Sequence, residues 1–292
     1  MRRKIRFIIN PRSGSKSKVH FNEWIDNEVD KTVFDHEICV TTAPGHATQL
    51  SSEAASLGFY AVFAVGGDGS VNETAKGLQG SETALGIIPT GSGNGMARHL
   101  GIPVDFQKSL RLISHSRIER IDTVSVNEHF CIGTFGIGFD AHIAHLFAQA
   151  GTRGYSTYVK LVLGEFYKYP THQFNLIVDG KSISREAFLL TFANSSQFGN
   201  NAVIAPFADI RDGIIEISVV RKFPAYKAPH LIYRMMNNIL HHSKYFEGLR
   251  GKQMIVKNEG LLKGHIDGEP LVFTSDIRIG INPLSMNVLV AK

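Results

Sequence analysis

The stretch GGDGSVNE, residues 66–73, combines residue types that can bind a phosphate group. Its three glycines let backbone N–H groups come close to an anionic ligand, and its carboxylate, hydroxyl and amide side chains supply further polar contacts. The apolar run 60–65 before it is typical of a buried strand, and the periodic residues after it predict a helix. A helix N-terminus at this point would add a positive dipole. The stretch therefore predicts a turn that binds nucleotide phosphates.

Two other stretches have the same character. Residues 10–14 read NPRSG after the strand-like segment 4–9, and residues 89–95 read PTGSGNG after the strand-like segment 85–88. In an α/β sheet, the turns at the carboxyl ends of the strands form the usual binding crevice. We therefore expect all three turns to share one edge of the sheet and to bind the phosphates together.

Each turn also has a purely structural interpretation. Ser70 and Glu73 have the spacing of a capping box, in which the two side chains satisfy the first amides of a helix. Gly66 and Gly67 are compatible with close helix–strand packing, and Asp68 is a common turn residue. The three turns taken together favour a nucleotide site. Their glycine spacing fits neither a P-loop nor the dinucleotide-binding fingerprint.

Strand-like and helix-like segments alternate in the first third of the chain, which predicts βα units around a buried parallel sheet. The predicted strands are 4–9, 34–40, 60–65 and 85–88, and the predicted helices are 19–29, 45–57, 70–78 and 94–100. After about residue 123 the pattern predicts antiparallel β structure with strands at 123–126, 130–135, 173–178, 187–193, 214–220, 254–257, 261–266 and 276–281. Helical stretches near 155–167 and 225–241 interrupt it. We expect an α/β domain over residues 1–123 and a β domain over residues 124–292, and it is left open whether the last strand, 286–291, returns to the first domain.

Composition limits the class of protein. A chain of 292 residues with 43% hydrophobic residues can bury a full core, and no apolar run reaches the ~18 residues that a membrane-spanning helix needs. Residues 1–9 do not resemble a signal peptide, so we expect a cytoplasmic protein. Cys39 and Cys131 lie in apolar stretches and predict reduced core residues. The net charge of +5 favours phosphate-bearing partners, but no Lys/Arg block or reading element predicts nucleic-acid binding.

With these three turns the chain resembles the diacylglycerol kinase catalytic-domain family, which includes bacterial soluble lipid kinases and sphingosine kinases. Residues 10–14 are similar to the first nucleotide loop of the family, Thr41 with residues 45–47 to the second, and residues 66–73 to its GGDGT-x-NE signature. The resemblance implies an N-terminal α/β domain related to phosphofructokinase and NAD kinase, a C-terminal antiparallel β-sandwich domain with helices, and a nucleotide in the crevice between them. It also implies ATP as the phosphoryl donor, Mg²⁺ as cofactor and a lipid hydroxyl, of diacylglycerol or a sphingoid base, as acceptor in phospholipid metabolism.

The candidate site residues follow from the resemblance and from the three turns. The predicted nucleotide contacts are Asn10, Pro11, Arg12, Ser13, Gly14, Thr41, Gly66, Gly67, Asp68, Gly69, Ser70, Asn72, Glu73, Thr90, Gly91, Ser92, Gly93 and Asn94. Residues 208–213 are similar to the Asp-Gly metal segment of the family, which implies metal ligands at Asp209, Asp212 and Ile214, with a backbone oxygen where a side chain cannot serve.

The catalytic candidates come from the same resemblance. Residues 265–269 are similar to the Asp-Gly-Glu catalytic segment of the family, which includes Asp267 here. Glu269 is the first candidate for the base that takes the proton of the acceptor hydroxyl during in-line transfer, and Asp68 is the second.

The carboxylates of the second half also fit structural roles. Asp267-Gly268 between two strand-like runs is a strong signal for a type I′ hairpin turn. Asp209 and Asp212 also fit an ordinary polar loop that leads into the strand 214–220. The residues alone favour the turn for Asp267-Gly268, and they do not choose between the two roles of Asp209 and Asp212.

One position departs from the family pattern and leaves the acceptor open. The third loop usually reads G-T-x-N-D, whereas Gly95 stands here in place of the acid. The alternative enzyme class is a kinase of a soluble substrate, of the NAD kinase or phosphofructokinase type, because it shares the GGDG element. A nucleotide-binding regulatory module without catalysis is the alternative outside the enzymes. The oligomeric state is also left open, with a homodimer as one option.

A lipid kinase that does not span the bilayer needs a surface on which apolar and basic side chains meet. One candidate group is Tyr155, Tyr158, Lys160, Phe166, Tyr167, Lys168 and Tyr169, and the other is Lys222, Lys227 and Arg234 with Leu231, Met235 and Ile239. The stripe of Leu231, Met235 and Ile239 also fits an ordinary helix face that packs on a core. We expect peripheral contact with the inner face of the membrane.

Overall fold

Strands and helices alternate through the N-terminal region of the computed structural model, which describes residues 2–14, 20–150 and 155–292, apart from the side chain of Tyr155. The strands are β1 (Arg3–Ile9), β2 (Phe34–Val40), β3 (Ala61–Gly66), β4 (Ala84–Pro89), β5 (Ser116–Val126), β6 (His129–Cys131), β7 (Thr134–Gly138), β8 (His172–Val178), β9 (Lys181–Ala187), β10 (Leu189–Ala193), β11 (Ile215–Val220), β12 (Phe246–Gly251), β13 (Gln253–Val256), β14 (Leu262–Ile266), β15 (Glu269–Phe273) and β16 (Ile277–Ala291). The helices are α1 (Phe21–Glu28), α2 (His46–Ser56), α3 (Asp68–Gly77), α4 (Gly95–His99), α5 (Phe106–Arg111), α6 (Phe139–Gln149), α7 (Tyr155–Glu165) and α8 (Ala228–Met236). Short 3-10 helices lie at Ile113–His115, Ala225–Lys227 and Leu240–His242.

These elements form two units. One contains the residues up to Ile121 together with Leu284–Lys292, and the other contains Asp122–Pro283. Residue 19, where the sequence predicts the start of the first helix, lies outside the described residues, and α1 is described from Phe21 onward.

The first unit is built on a parallel sheet with the strand order β2-β1-β3-β4, and the last part of β16 extends it through a parallel pairing of Val288 with Leu85. Every residue of β3 and β4 is buried, as is typical of the central strands of a parallel sheet. Phe7 and Phe63 stack in its core with their ring centres 4.8 Å apart. The predicted parallel α/β fold is confirmed.

Two sheets pack face to face in the second unit. Six antiparallel strands follow the order β12-β11-β10-β7-β14-β15. The other sheet contains β9, β8, β13 and the first part of β16, with β5 and β6 attached. Phe135 and Phe192 of the first sheet share one core with Val256 and Ile277 of the second. This arrangement confirms the predicted antiparallel β-sandwich.

Helices α6 and α7 join the sandwich through an aromatic cluster. Phe139 at the start of α6 stacks on Phe188 with ring centres 4.4 Å apart, and Phe166 after α7 packs on the same ring. The Lys222 ammonium group donates hydrogen bonds to the carbonyl oxygens of Phe166 and Tyr169, which fixes the end of α7. No helix within the described ranges is both long enough and apolar enough to cross a membrane.

Candidate functional site

The three glycine-containing turns meet at the carboxyl ends of β1, β3 and β4. The Asn10 side-chain amide donates a hydrogen bond to the Ser70 hydroxyl at 3.0 Å, which joins the turn after β1 to the turn after β3. The hydroxyl oxygens of Ser13 and Thr90 lie 2.9 Å apart and join the turn after β1 to the turn after β4. The Thr90 N–H also donates to the Gly66 carbonyl oxygen at 2.8 Å. The predicted placement of the three turns at one sheet edge is confirmed.

Glycine is required where these turns touch one another. A Cβ atom on Gly91 would lie 2.5 Å from the Gly67 Cα, so a side chain there would push the two backbones apart. Gly14 has a φ of +70°, and a Cβ atom on it would lie 1.9 Å from the Thr90 carbonyl oxygen. The three backbones therefore form one continuous surface of peptide groups, which is the arrangement that backbone binding of phosphate needs.

Two polar side chains hold the turn after β4 in place. The Gly95 N–H, at the start of α4, donates to Asp68 Oδ1 at 2.7 Å. Asn94 has a left-handed φ of 53°, accepts from the Gly91 N–H at 3.0 Å and donates to the Gly91 carbonyl oxygen at 2.8 Å. Asp68 is half-buried, so its carboxylate links two turns while it keeps contact with solvent.

The capping-box interpretation of Ser70 and Glu73 is wrong. Helix α3 begins at Asp68, with Gly67 as its N-cap in an extended conformation, and no side chain caps it. Ser70 therefore lies inside the first turn of α3, where its buried hydroxyl accepts the hydrogen bond from Asn10. Because the helix begins two residues earlier than predicted, Asp68 lies at its positively polarised end.

The remaining predicted nucleotide contacts lie around the same edge. Thr41 follows β2, and its N–H donates to the Ile9 carbonyl oxygen at 2.9 Å, which ties the turn after β2 to β1. The other predicted contacts that are exposed or half-buried are Pro11, Arg12, Gly69, Asn72, Glu73, Ser92 and Gly93.

In the second unit, Asp267 and Gly268 form the two-residue turn between β14 and β15. Their φ values of 50° and 85° fit a type I′ turn, and Ile266 pairs with Glu269 across it. The predicted hairpin is confirmed. The Asp267 carboxylate also accepts three backbone hydrogen bonds of 2.8–3.0 Å from residues 132–134, which anchors the hairpin to the start of β7.

A buried histidine–aspartate pair lies directly behind this hairpin. His265 Nε2 is 3.1 Å from Asp140 Oδ2, and the Thr191 hydroxyl donates to the same oxygen at 3.1 Å. The Gly268 N–H donates to His265 Nδ1 at 3.3 Å, so Nδ1 is an acceptor and the ring proton lies on Nε2. Glu269 follows as an exposed first residue of β15. The hairpin is therefore fixed from two sides, while the Glu269 side chain points to solvent.

The predicted metal segment is a loop before β11 in which Asp209 and Asp212 are exposed. Asp209 Oδ1 accepts from the Arg211 N–H and Asp212 Oδ1 accepts from the Ile214 N–H, both at 3.0 Å. The second Asp212 oxygen lies 3.6 Å from the Arg250 guanidinium. Among the described residues, no group of three or more His, Cys, Asp and Glu side chains could hold a metal ion. A cation at this loop would need backbone or water oxygens in addition to the carboxylates.

Glu216, on β11 beyond this loop, is a titratable residue that sequence reasoning missed. It is 1% exposed, and its Oε2 accepts from the Phe207 N–H at 2.8 Å. Its Oε1 is buried without a hydrogen-bond partner in the described part of the chain. Burial raises the pKa of Glu216 to about 7, the nearby Asp212 adds to the rise, and the Phe207 N–H and Arg250 oppose it.

The two predicted lipid-contact groups differ in exposure. In the first group Tyr158, Lys160, Tyr167 and Lys168 are exposed, Phe166 is buried and Tyr169 is half-buried. The Tyr155 side chain lies outside the described residues. In the second group Leu231 is buried and Met235 packs on a core cluster, which confirms the core-facing interpretation for these two residues. Ile239 is half-buried and lies beyond the end of α8.

Two family models match the chain in consecutive regions. The diacylglycerol kinase catalytic domain matches residues 4–126. The YegS C-terminal NAD kinase beta sandwich-like domain matches residues 133–290. Together they span both the sheet edge with the three turns and the hairpin that contains Glu269.

Individual proteins give similar matches. The chain is 30% identical over 250 residues to a "Probable lipid kinase YegS-like" of Chromohalobacter salexigens, which covers 84% of this chain and 80% of that protein. It is 25% identical to the diacylglycerol kinase of Bacillus subtilis, over 96% of this chain and 86% of that one. The crystal structure of a diacylglycerol kinase from Bacillus anthracis matches with a TM-score of 0.74 at 21% identity, covers 99% of this chain and 97% of its own, and shows a shared fold.

Proposed function

The chain belongs to the diacylglycerol kinase catalytic-domain family and is a kinase, and from that premise we propose that it transfers the γ-phosphoryl group of ATP to the hydroxyl group of a lipid. The observation that carries the proposal is the contact of three glycine-containing turns at one sheet edge. A surface of peptide groups next to the N-terminus of α3 suits a chain of phosphates, because N–H groups and the helix dipole both favour negative charge.

We propose the three turns, with Thr41, as the nucleotide contacts. The close approach of Gly67 and Gly91 supports this, since a side chain at Gly91 would occupy the space between the turns. Asn10, Ser13 and Thr90 add polar side chains to the same surface. The residues present therefore fit a triphosphate.

Glu269 is the proposed base. Its exposed carboxylate takes the proton of the acceptor hydroxyl, the hydroxyl oxygen forms a bond to the γ-phosphorus, and the bond from that phosphorus to the bridging oxygen breaks as ADP leaves. Asp267 and His265 act as positioning residues, because their hydrogen bonds fix the backbone on both sides of the turn that precedes Glu269. Asp68 is the second candidate for the base, and its position as the first residue of α3 supports this role.

Asp209, Asp212 and the backbone oxygen of Ile214 are the proposed ligands of Mg²⁺. Oxygen donors of this kind suit the ion, and a bound cation would compete with the Arg211 guanidinium at Asp209 and with the Arg250 guanidinium at Asp212. When bound, Mg²⁺ supplies positive charge that offsets the charge of the phosphates.

A lipid-panel assay tests the proposal. Purified protein is incubated with γ-labelled ATP, Mg²⁺ and diacylglycerol, sphingoid bases or mixed lipid extract, and the products are extracted and identified by mass spectrometry. We expect labelled phosphate in an organic-soluble product. Label that appears only in an aqueous product would instead indicate a kinase of a soluble substrate, and ATP binding without any transfer would indicate a regulatory module.

A further inference from the structure

A solvent-facing stripe of apolar side chains runs along α8 and the 3-10 helix before it. We call it the α8 stripe, and its members are Tyr226, Pro229, Ile232, Tyr233 and Met236. The exposed fractions are 76% for Tyr226, 56% for Ile232, 57% for Tyr233 and 46% for Met236. The last four members have the i, i+3, i+4, i+7 spacing of one helix face. The outer face of a surface helix is normally polar, so a continuous apolar stripe indicates an interaction surface.

The opposite face of α8 is already packed. Leu231 is 4% exposed, and Met235 packs against the core cluster that contains Val220 and Leu240. The helix is therefore apolar on both faces. Its inner face is sufficient to hold it on the core, so the fold does not require the apolar outer face.

The chain around the α8 stripe carries only positive charge. From residue 217 to residue 246 the sequence has five Lys or Arg residues, three His residues and no Asp or Glu. The next acid, Glu247, is bound by Arg185 and Arg221. Lys227 and Lys244 are exposed, and their ammonium groups lie 5.4 and 5.3 Å from the ring centres of Tyr226 and Tyr245.

We propose that the α8 stripe docks on the surface of a membrane that contains anionic lipids, an inference that rests on the proposed lipid acceptor. The apolar side chains enter the boundary between headgroups and acyl chains, while Lys227 and Lys244 remain at the lipid phosphates. Tyrosine and lysine suit this boundary, because each has an apolar body and a polar tip.

A second copy of this chain complements the α8 stripe less well than an anionic membrane does. Contact between two α8 stripes would bring two acid-free, cationic segments together, and like charges repel. An anionic bilayer supplies both an apolar layer and negative phosphates, so it complements the α8 stripe in both respects.

Vesicle sedimentation tests the proposal without any need for catalysis. The whole chain is mixed, in the absence of ATP, with vesicles of phosphatidylcholine alone or with vesicles that also contain phosphatidylglycerol, an anionic lipid whose surface potential attracts lysine side chains. We expect binding to the anionic vesicles that added salt weakens. The triple variant Ile232→Ser, Tyr233→Ser, Met236→Ser should bind them about tenfold or more weakly, and Lys227→Gln with Lys244→Gln about fivefold more weakly for each positive charge removed.

Control variants test whether the loss of vesicle binding is specific to the α8 stripe. Leu261→Ser and Val272→Ser remove side chains that are 81% and 53% exposed elsewhere in the same unit, and they should bind as the unaltered protein does. Thermal unfolding checks that the triple variant is folded. Tyr233→Trp should show a blue-shifted emission on addition of anionic vesicles, whereas Leu261→Trp should not.

Kinase activity on a short-chain acceptor dissolved as monomers separates this proposal from the proposed function. The triple variant should keep that activity and lose activity on vesicle-borne acceptor. If the unaltered protein lacks activity on every lipid but still sediments through the α8 stripe, the proposed lipid acceptor fails and the docking surface stands. Equal sedimentation of the triple variant and the unaltered protein, or a dimer that the triple variant abolishes without any vesicle binding, would overturn the docking proposal.

Discussion

Replacing Gly91 by alanine tests whether the contact between two turn backbones supports function. The added Cβ would lie 2.5 Å from the Gly67 Cα and 3.0 Å from Asn94 Oδ1. Non-bonded carbon atoms rest about 3.5–4.0 Å apart, so relief of the overlap needs a displacement of about 1 Å. We expect Gly91→Ala to lower the free energy of unfolding by about 1–3 kcal/mol, the usual cost of overpacking. We also expect it to lower kcat/KM for ATP about 100-fold, as a 1 Å misplacement of a binding group does.

Gly67→Ala is the matched variant, because it adds a methyl group to the other side of the same contact. Its Cβ would lie 3.3 Å from the Gly91 Cα, so a shift of a few tenths of an ångström relieves it. We expect less than a fivefold loss of kcat/KM, which is about 1 kcal/mol. Gly260→Ala, with nothing within 4 Å of the new Cβ, is the control for alanine itself.

Steady-state kinetics with varied ATP give kcat/KM for the three variants, and urea unfolding gives their stability. The two quantities are needed together, since a variant that only unfolds more easily would lose activity without a change in the KM of the folded fraction. Indistinguishable kinetics for Gly91→Ala and Gly67→Ala would refute the argument that this backbone spacing shapes the nucleotide site.

Three further variants test the second unit. Glu269→Gln should lower kcat about 100-fold or more and leave ATP affinity unchanged, because it removes the proposed base, and equilibrium binding of ATP beside turnover assays would check both. Asp267→Asn should destabilise the protein by about 3 kcal/mol in urea unfolding, since a side-chain amide cannot accept three N–H groups from residues 132–134. For Glu216 the folded pKa of about 7 lies above the ordinary 4.5, so the folded state holds the proton more tightly and stability falls as the pH rises from 4.5 to 7. Glu216→Gln should remove that slope in unfolding curves taken between pH 4.5 and 8 and be more stable at pH 8 by about 3 kcal/mol, the free energy that corresponds to the shift in pKa.

The sheet edge with the three turns was predictable because its signals are local. Each turn combines glycines with an apolar run in front of it, and parallel strands must end at the same edge. The first residue of α3 was harder to predict from the sequence. Ser70 and Glu73 match a capping box, but the helix begins at Asp68. The Ser70 hydroxyl instead accepts a hydrogen bond from Asn10. The two residues lie 60 positions apart, so no local sequence pattern reveals this contact.

Elements of the second unit escaped prediction for different reasons. Strand β9 lies at the edge of its sheet and reads KSISREA, so its exposed polar residues hide the strand pattern. Helix α6 is apolar on several faces, which gives no clear helical stripe. The pair of Asp140 and His265 is brought together across 125 positions by the pairing of β7 with β14. The α8 stripe was missed because periodicity identified the inner face of the same helix.

Strand β16 contributes to both units, and this affects how the protein folds during its synthesis. Residues 122–283 are inserted between the parts of the first unit, so the sheet that carries the three turns lacks one strand until residues 284–292 leave the ribosome. The pairing of Leu85 with Val288 then closes a loop of more than two hundred residues, which is slow compared with local folding. During that interval the edge of β4 has no β16 partner, and an unpaired apolar strand edge is a site at which chains aggregate.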